Sequence, residues 1–344
     1  MPHLVAAPDK FRGTASAAAV AAAVAGAARA AGWTADEVPM SDGGEGLLLA
    51  LGGEHRTTVV TGPLGAPVEA EWRVLDRSDG EPVTAVVEMS SAAGRALVPR
   101  PRRDDPVRAT TNGVGELLLA ARAAGARRIV IGCGGSATTD GGLGAFEAVG
   151  APSRLQGIEL VVACDVTTRF LDAAAVFGPQ KGATPPQVAE LGRRLVAVAA
   201  RYRTETGVDV TGIPGAGAAG GLAGGLVALG ARIEPGFDFV AGLVGLAGKL
   251  EEADLAVTGE GHLDPPSFHG KVPGGVLELA RARRGPALPV LCIAGGVDAS
   301  VFAAPPRGLD IVSLTARFGQ GRARSETLAL ISLVTAEALS RFCP

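Results

Sequence analysis

Aromatic side chains make up only 4% of this 344-residue chain, with a single tyrosine and two tryptophans. Its cores must therefore be assembled largely from small aliphatic side chains. Cysteine is also scarce. The four residues (Cys133, Cys164, Cys292 and Cys343) are scattered without a CxxC pair, and three lie in apolar, strand-like runs. That argues against a zinc ribbon or a disulfide framework and suits buried free thiols in a reducing compartment. An excess of charge of one sign is missing too: a formal net charge of -3 gives no reason to expect nucleic acid or an anionic membrane as partner. No long hydrophobic run is present either. Residues 15–31 are mostly alanine, interrupted by Arg29, and are too short to span a bilayer. The first residues enter a strand pattern without a basic n-region or apolar h-region, so no signal peptide is expected and the cytoplasm is the expected compartment.

What is abundant is alanine, valine and glycine. Hydrophobic residues reach 47% and glycine numbers 50, a composition that suits α/β layers packed closely through small side chains. The length makes two domains the default. The chain centres on residues 129–148, IVIGCGGSATTDGGLGAFEA. The β-branched run Ile129, Val130, Ile131 reads as a strand buried on both faces. It leads into Gly134, Gly135, Ser136, Thr138, Thr139 and Asp140, and a helical pattern opens at Leu143. Glycines let a ligand approach the backbone, hydroxyls add donors, and a helix start offers free N–H groups. The arrangement suits an anion, most often a phosphate; the alternative is a tight βα turn that holds nothing.

Other clusters of polar residues recur at expected strand ends. A strand at 3–7 delivers Asp9, Lys10 and Arg12 to a carboxyl edge, where open α/β sheets bind ligands. Thr14 or Ser16 can cap the alanine-rich helix that follows, and Gly32 ends it. Asp42 and Glu45 sit among glycines in SDGGEG, poised either for a metal ion or polyhydroxy substrate or as a plain β-turn. Period-two alternation over 57–61, 68–75 and 83–89 predicts antiparallel strands, with turns at Gly62-Pro63 and Ser78-Asp79-Gly80. The change of pattern places a domain boundary near residue 60. A basic, proline-rich connector over 99–108 is balanced by Asp104 and Asp105; a helix over 110–124 follows, with Glu116 exposed or reaching the site. A strand at 158–164 ends at Asp165, and a loop presents Gln180 and Lys181 before a helix over 186–202. Near the end, Glu260 and Asp264 lie four residues apart around glycines, followed by Lys271. Two acids and a lysine suit magnesium and phosphate better than zinc, because hard Mg²⁺ prefers oxygen ligands. The remaining strands (288–294, 309–314) and helices (272–283, 324–342) return to plain βα alternation.

Residues 214–225 require a rival reading. Gly215, Gly217 and Gly220 satisfy G-x-G-x-x-G, with Glu234 near the distance of a ribose-binding acid, which raises a nicotinamide dehydrogenase. Pro214 stands where a buried strand should end, which weighs against it.

Taken together, APDKFRGT (7–14), SDGGEG (41–46), GGSATTDGG (134–142), ACDV (163–166), FGPQKGA (177–183), PGAGAAGGL (214–222), TGEGHLD (258–264) and GK (270–271) resemble the glycerate kinase family of the bacterial two-domain type. The resemblance covers almost the whole chain. It implies a flavodoxin- or Rossmann-like α/β domain formed by both termini (1–60 plus 285–344), an inserted α/β domain (61–284) carrying the glycine-rich loops, and an active site in the cleft. It implies transfer of phosphate from MgATP to the 2-hydroxyl of D-glycerate; the alternatives are another small hydroxy acid as acceptor, or a binding protein that has lost its chemistry.

In that scheme Asp165 is the first choice of base and Asp42 the second, while Lys181 and Lys271 neutralise the transferred group. Glu260 and Asp264 hold Mg²⁺, and Lys10 and Arg12 suit the acceptor carboxylate. Asp9, Glu45, Gln180, Gly134, Gly135, Ser136, Thr138, Asp140, Gly215, Gly217, Gly220 and Gly221 complete the binding set. Which glycine loop meets ATP stays open. The partners are a small hydroxy acid and ATP, with no nucleic acid and no membrane, and the state a monomer or homodimer. Three departures from the family pattern stand out: His262 replaces arginine and Pro266 glutamine, residues 151–157 are a short join where relatives carry a longer segment, and residues 167–172 are shortened. The join is expected to be sufficient for folding and, if the missing segment is a lid, to leave the acceptor pocket more open.

Overall fold

A computed structural model describes residues 1–75, 82–98 and 105–341. The turn expected at 78–80, residues 99–104 of the basic connector, and Cys343 lie outside the described residues.

The chain divides into two compact units, the first made of Met1–Asp42, Leu49–Leu51 and Gly236–Pro344, the second of Gly43–Leu48 and Gly52–Pro235. The first unit holds strands β1 (His3–Ala6), β2 (Thr34–Glu37), β9 (Leu255–Leu263), β10 (Val290–Val297) and β11 (Leu309–Ser313). The second holds β3 (Glu54–Thr61), β4 (Pro67–Val74), β5 (Thr84–Glu88), β6 (Arg128–Gly132), β7 (Glu159–Ala163) and β8 (Arg232–Glu234).

In the first unit the sheet order is β11-β10-β9-β1-β2 and every pairing is parallel. Counted within the unit this is the 2-1-3-4-5 order of flavodoxin-like folds, whose switch point lies between β1 and β9. The helix Ala17–Ala30 is capped by Ser16, whose side chain accepts from Ala19 N at 3.2 Å. Its alanine-rich buried face (Ala17, Ala21, Ala25, Ala28) has no bulky side chains to hold a neighbour away. Val20 and Val24 pack there with Leu4, Trp33, Ile293, Ile331 and Val334 in one core.

In the second unit the order is β3-β4-β5-β6-β7-β8, antiparallel through β5 and parallel from β5 onward. Its core gathers Trp72, Met89, Leu117, Ile129, Phe146, Phe170, Leu195, Tyr202 and Leu222. Glu116, whose role the sequence leaves open, accepts from the backbone N–H and hydroxyl of Thr61 at 2.6 and 2.9 Å and thus ties a helix to β3.

The bounds of the units differ from the expected 60 and 284. The chain passes from one unit to the other near Asp42 and again near Gly236. β3 joins the second sheet, and β9 with the helix Val272–Ala282 belongs to the first. The period-two pattern marks where strand style changes, whereas a central parallel strand such as β9 looks alike in either sheet. The short join forms a 3₁₀ turn, Pro152–Leu155, with Leu155 buried. It lies at the amino edge of β7, roughly 16 Å along a five-residue strand from the carboxyl edge. A segment inserted there starts from the end of the sheet opposite Asp165, so the position of the join does not favour a lid.

Candidate active site

The first unit holds Asp9, Lys10, Arg12 and Asp42, together with Glu260, Asp264 and Lys271, which the expected bounds put in the inserted domain. After β1 the chain keeps its place beside β9, with Ala7 N donating to Val257 O and Asp9 N to Gly259 O, both at 2.8 Å. Asp9 and Glu260 therefore stand toward the carboxyl ends of the two strands that flank the switch point. Both are buried, Asp9 to 7% and Glu260 to 8% exposure. Burial pushes the Asp9 carboxyl up to about 6 against the pull of Lys10, whose Nζ lies 3.6 Å away, and the Asp42 charge raises it further. Burial likewise pushes Glu260 up to about 7, opposed by Ser267 and Lys271 and assisted by Asp9 and Asp264. Glu260 Oε1 is buried and has no hydrogen-bond partner among the described residues. An orphaned carboxylate oxygen costs free energy unless a cation or donor reaches it.

Asp264 has a second task. It caps the 3₁₀ turn Pro265–Phe268, accepting from Ser267 N at 3.0 Å and Ser267 Oγ at 2.8 Å. Among the described residues no group of three or more His, Cys, Asp or Glu side chains is arranged to hold a metal ion. Glu260 and Asp264 remain as a pair, which suits Mg²⁺, since that ion commonly takes one or two carboxylates and completes its shell with water and phosphate oxygens. His262 is exposed, its Nε2 2.9 Å from Asp298 Oδ1.

In the second unit lie Glu45, Gly134, Gly135, Ser136, Thr138, Asp140, Asp165, Gln180, Lys181, Gly215, Gly217, Gly220 and Gly221. Residues 134–136 leave β6 partly open to solvent, whereas 137–139 are buried. The expected phosphate cradle at the following helix is already occupied by the chain itself. Asp140 accepts from Gly142 N at 3.1 Å, Gly144 N at 3.2 Å, and from Thr111 N and Thr111 Oγ1 at 2.8 Å. Its carboxylate caps the helix Leu143–Val149 in the place a phosphate would take, and burial raises its pKa against those bonds.

Lys181 is not a loop lysine reaching for solvent. It is 5% exposed and its ammonium donates to the Thr138 carbonyl. Burial brings it down to about 7, Asp140 raises it and Arg95 lowers it. Gln180, next to it, is exposed.

The second glycine loop is also built for packing. Ala219, Gly220 and Gly221 adopt left-handed backbone with φ of 53, 72 and 90°. A Cβ on Gly220 would lie 2.0 Å from the Thr138 carbonyl oxygen, and Gly141 N donates to Gly220 O at 3.0 Å. Gly217 N donates to Thr168 O and Gly221 N to Gly217 O, both at 3.0 Å, so these N–H groups are committed within the protein. A Cβ on Gly215 would crowd Val166 O at 3.1 Å. Among the described residues no strand leads directly into this G-x-G-x-x-G run, and that removes the structural context of a dinucleotide fingerprint.

Glu88, the last residue of β5, is not among the residues expected at the site. It is 8% exposed and accepts from Gly46 N and Leu48 N at 2.9 Å and from Ser90 Oγ at 3.2 Å. Its mark in the sequence is an acid closing the apolar run Ala85, Val86, Val87, much as Asp165 follows the run that forms β7. Asp165 itself follows β7 at its carboxyl edge and is partly buried.

Known proteins match this chain over nearly all its length. It is 38% identical to a glycerate 2-kinase of Escherichia coli K12, over 90% of this chain and 89% of that protein. It is 37% identical to a glycerate kinase of Halalkalibacterium halodurans, over 90% of each. The crystal structure of a protein designated glycerate kinase 2 from Salmonella typhimurium LT2 superimposes with a TM-score of 0.81 at 33% identity, covering 99% of both chains. The profile of the glycerate kinase family matches residues 4–153 and 151–329, its two pieces meeting at the short join. With that profile spanning most of the sequence and the flavodoxin-like order in the first sheet, the chain belongs to the glycerate kinase family.

Proposed function

We propose that this protein transfers the γ-phosphoryl group of ATP to the 2-hydroxyl of D-glycerate. The observation that carries the reading is the β1/β9 switch point, where Asp9, Lys10, Glu260 and Lys271 meet and one buried Glu260 oxygen lacks a partner among the described residues. Glu260, with Asp264 directly or through water, would hold Mg²⁺, which when bound offsets negative charge on the phosphates. Lys271 adds positive charge there, and Lys10 and Arg12 suit the acceptor carboxylate. Asp165 is the proposed proton acceptor for the attacking hydroxyl, the one covalent duty that phosphoryl transfer leaves to the protein besides positioning. Gly134, Gly135 and Ser136 form the open part of their loop and are the part proposed to meet a ligand. The cytoplasm is the proposed compartment; no helix among the described residues is long and apolar enough to cross a membrane.

The test is turnover of ATP with a panel of small hydroxy acids, the product being read by phosphorus NMR. The expected result is magnesium-dependent formation of 2-phosphoglycerate. Formation of 3-phosphoglycerate would overturn the regiochemistry, full turnover in excess chelator would overturn the metal, and a higher kcat/KM with another acid would replace the acceptor. Absence of turnover with every acid would leave the binding-protein alternative.

A further inference from the structure

We propose that Glu88 is a positioning residue for the reaction, acting by holding the loop Gly43–Leu48 on the carboxyl edge of the second sheet. The inference rests on the kinase reading and extends it to a residue without an assigned role. The helix Leu47–Leu51 starts without a cap of its own: Gly46 has a left-handed backbone (φ 99°) and no side chain to offer. A carboxylate 40 residues away in sequence supplies the acceptor: Glu88 Oε1 takes both Gly46 N and Leu48 N, while Oε2 takes the Ser90 hydroxyl. All three neighbours donate, so the site calls for an acceptor. Burial raises the Glu88 pKa, the hydrogen bonds from Leu48, Gly46 and Ser90 oppose the rise, and the Glu45 charge adds to it.

The loop then lies where a ligand at the sheet edge would meet it. Cys133 N donates to Gly43 O at 3.2 Å. A Cβ on Gly134 would stand 2.4 Å from Glu45 N, and one on Gly43 2.7 Å from the Ala163 carbonyl. The loop thus touches the ends of both β6 and β7, and only glycine permits the approach at Gly43 and Gly134. Glu45 projects from this loop, with one carboxylate oxygen 3.9 Å from where a Gly135 Cβ would be. If Glu88 releases Gly46 and Leu48, the placement of Glu45 beside residues 134–136 loosens.

The experiment compares the wild type with Glu88→Ala, Glu88→Gln, Glu45→Ala and the Glu45→Ala/Glu88→Ala pair. Activity of the wild type with ATP and D-glycerate is measured first, so failure of the kinase reading is seen separately. Glu88→Ala is expected to lose about 10²-fold in kcat/KM, the scale of an ångström-sized misplacement. Glu88→Gln keeps an acceptor oxygen for Gly46 and Leu48 and should recover most of that loss. Amide hydrogen exchange supplies a readout independent of turnover: the Gly46 and Leu48 amides should lose protection in Glu88→Ala and keep it in Glu88→Gln. The double variant should be little worse than Glu45→Ala alone, since coupled residues are not additive. Retention of wild-type kcat/KM in Glu88→Ala, equal damage in both Glu88 variants, or additive losses in the double variant would overturn the proposal. If Glu88→Ala does not fold, exchange and kinetics of Glu88→Gln and Ser90→Ala decide it: unprotected Gly46 and Leu48 amides with full activity would refute it.

Discussion

The two units use polar groups at their sheet edges differently. At the switch point of the first, Asp9 and Glu260 are buried with raised pKa values, and a Glu260 oxygen is left without a partner among the described residues. In the second, much of what looks most like a phosphate cradle is consumed internally, although the buried Thr138 and Thr139 hydroxyls have no partner among the described residues. Asp140 fills its own helix start, Lys181 holds the Thr138 carbonyl, and Gly220 and Gly221 let two loops touch. Glycine-rich sequence can thus signify backbone packing as readily as ligand approach.

Asp165 would break this contrast most sharply, because it places chemistry in the second unit. Asp165→Asn should lower kcat by about 10²–10⁴-fold, the usual contribution of a general base, with the thermal midpoint little changed. A near-normal kcat moves the role to Asp42 or removes the need for a base.

Glu260→Gln tests the first unit. Loss of an electrostatic group of this kind should cost about 10²–10³-fold in kcat. It should also change the dependence of stability on pH. Burial raises the folded-state pKa from 4.5 to about 7, so the folded chain retains a proton that the unfolded chain has released. That contribution is complete below about pH 4.5 and is lost as pH rises to about 7, on the order of 3 kcal/mol in all. Urea unfolding at intervals across this range should show a shallower decline in Glu260→Gln than in the wild type; equal slopes would remove Glu260 as the cause.

Gly220→Ala sharpens the packing half. The added methyl meets the Thr138 carbonyl and the backbone is left-handed, so a loss of about 2–5 kcal/mol in unfolding free energy is expected. A neutral result would show that the two loops can separate at little cost. The smallest effect belongs to its neighbour. Ala219 is a non-glycine residue at φ 53°, and Ala219→Gly should raise stability by up to about 1 kcal/mol, read by the same unfolding measurement. A decrease would mean that the buried methyl contributes more than its backbone costs.

Local pattern made much of this molecule legible. Apolar β-branched runs mark β6 and β7 because a strand covered on both faces needs no polar alternation, and Thr14 and Ser16 announce a helix start, of which Ser16 is the cap. Charged residues soon after such runs place Asp9 and Asp165 beyond the carboxyl ends of β1 and β7 and Glu260 in the later part of β9, and the recurrence of whole motifs points to the family. Tertiary structure alone decided what each group does there. Whether Asp140 faces a ligand or its own helix, whether Lys181 is solvated or buried against Thr138, and whether Glu88 reaches a loop 40 residues away all depend on contacts between segments remote in sequence. The same holds for the passage between units at Gly236 rather than near residue 284. A residue's type and its neighbours along the chain determine which bonds it can make; its partners across the fold determine which of those bonds are left for a ligand.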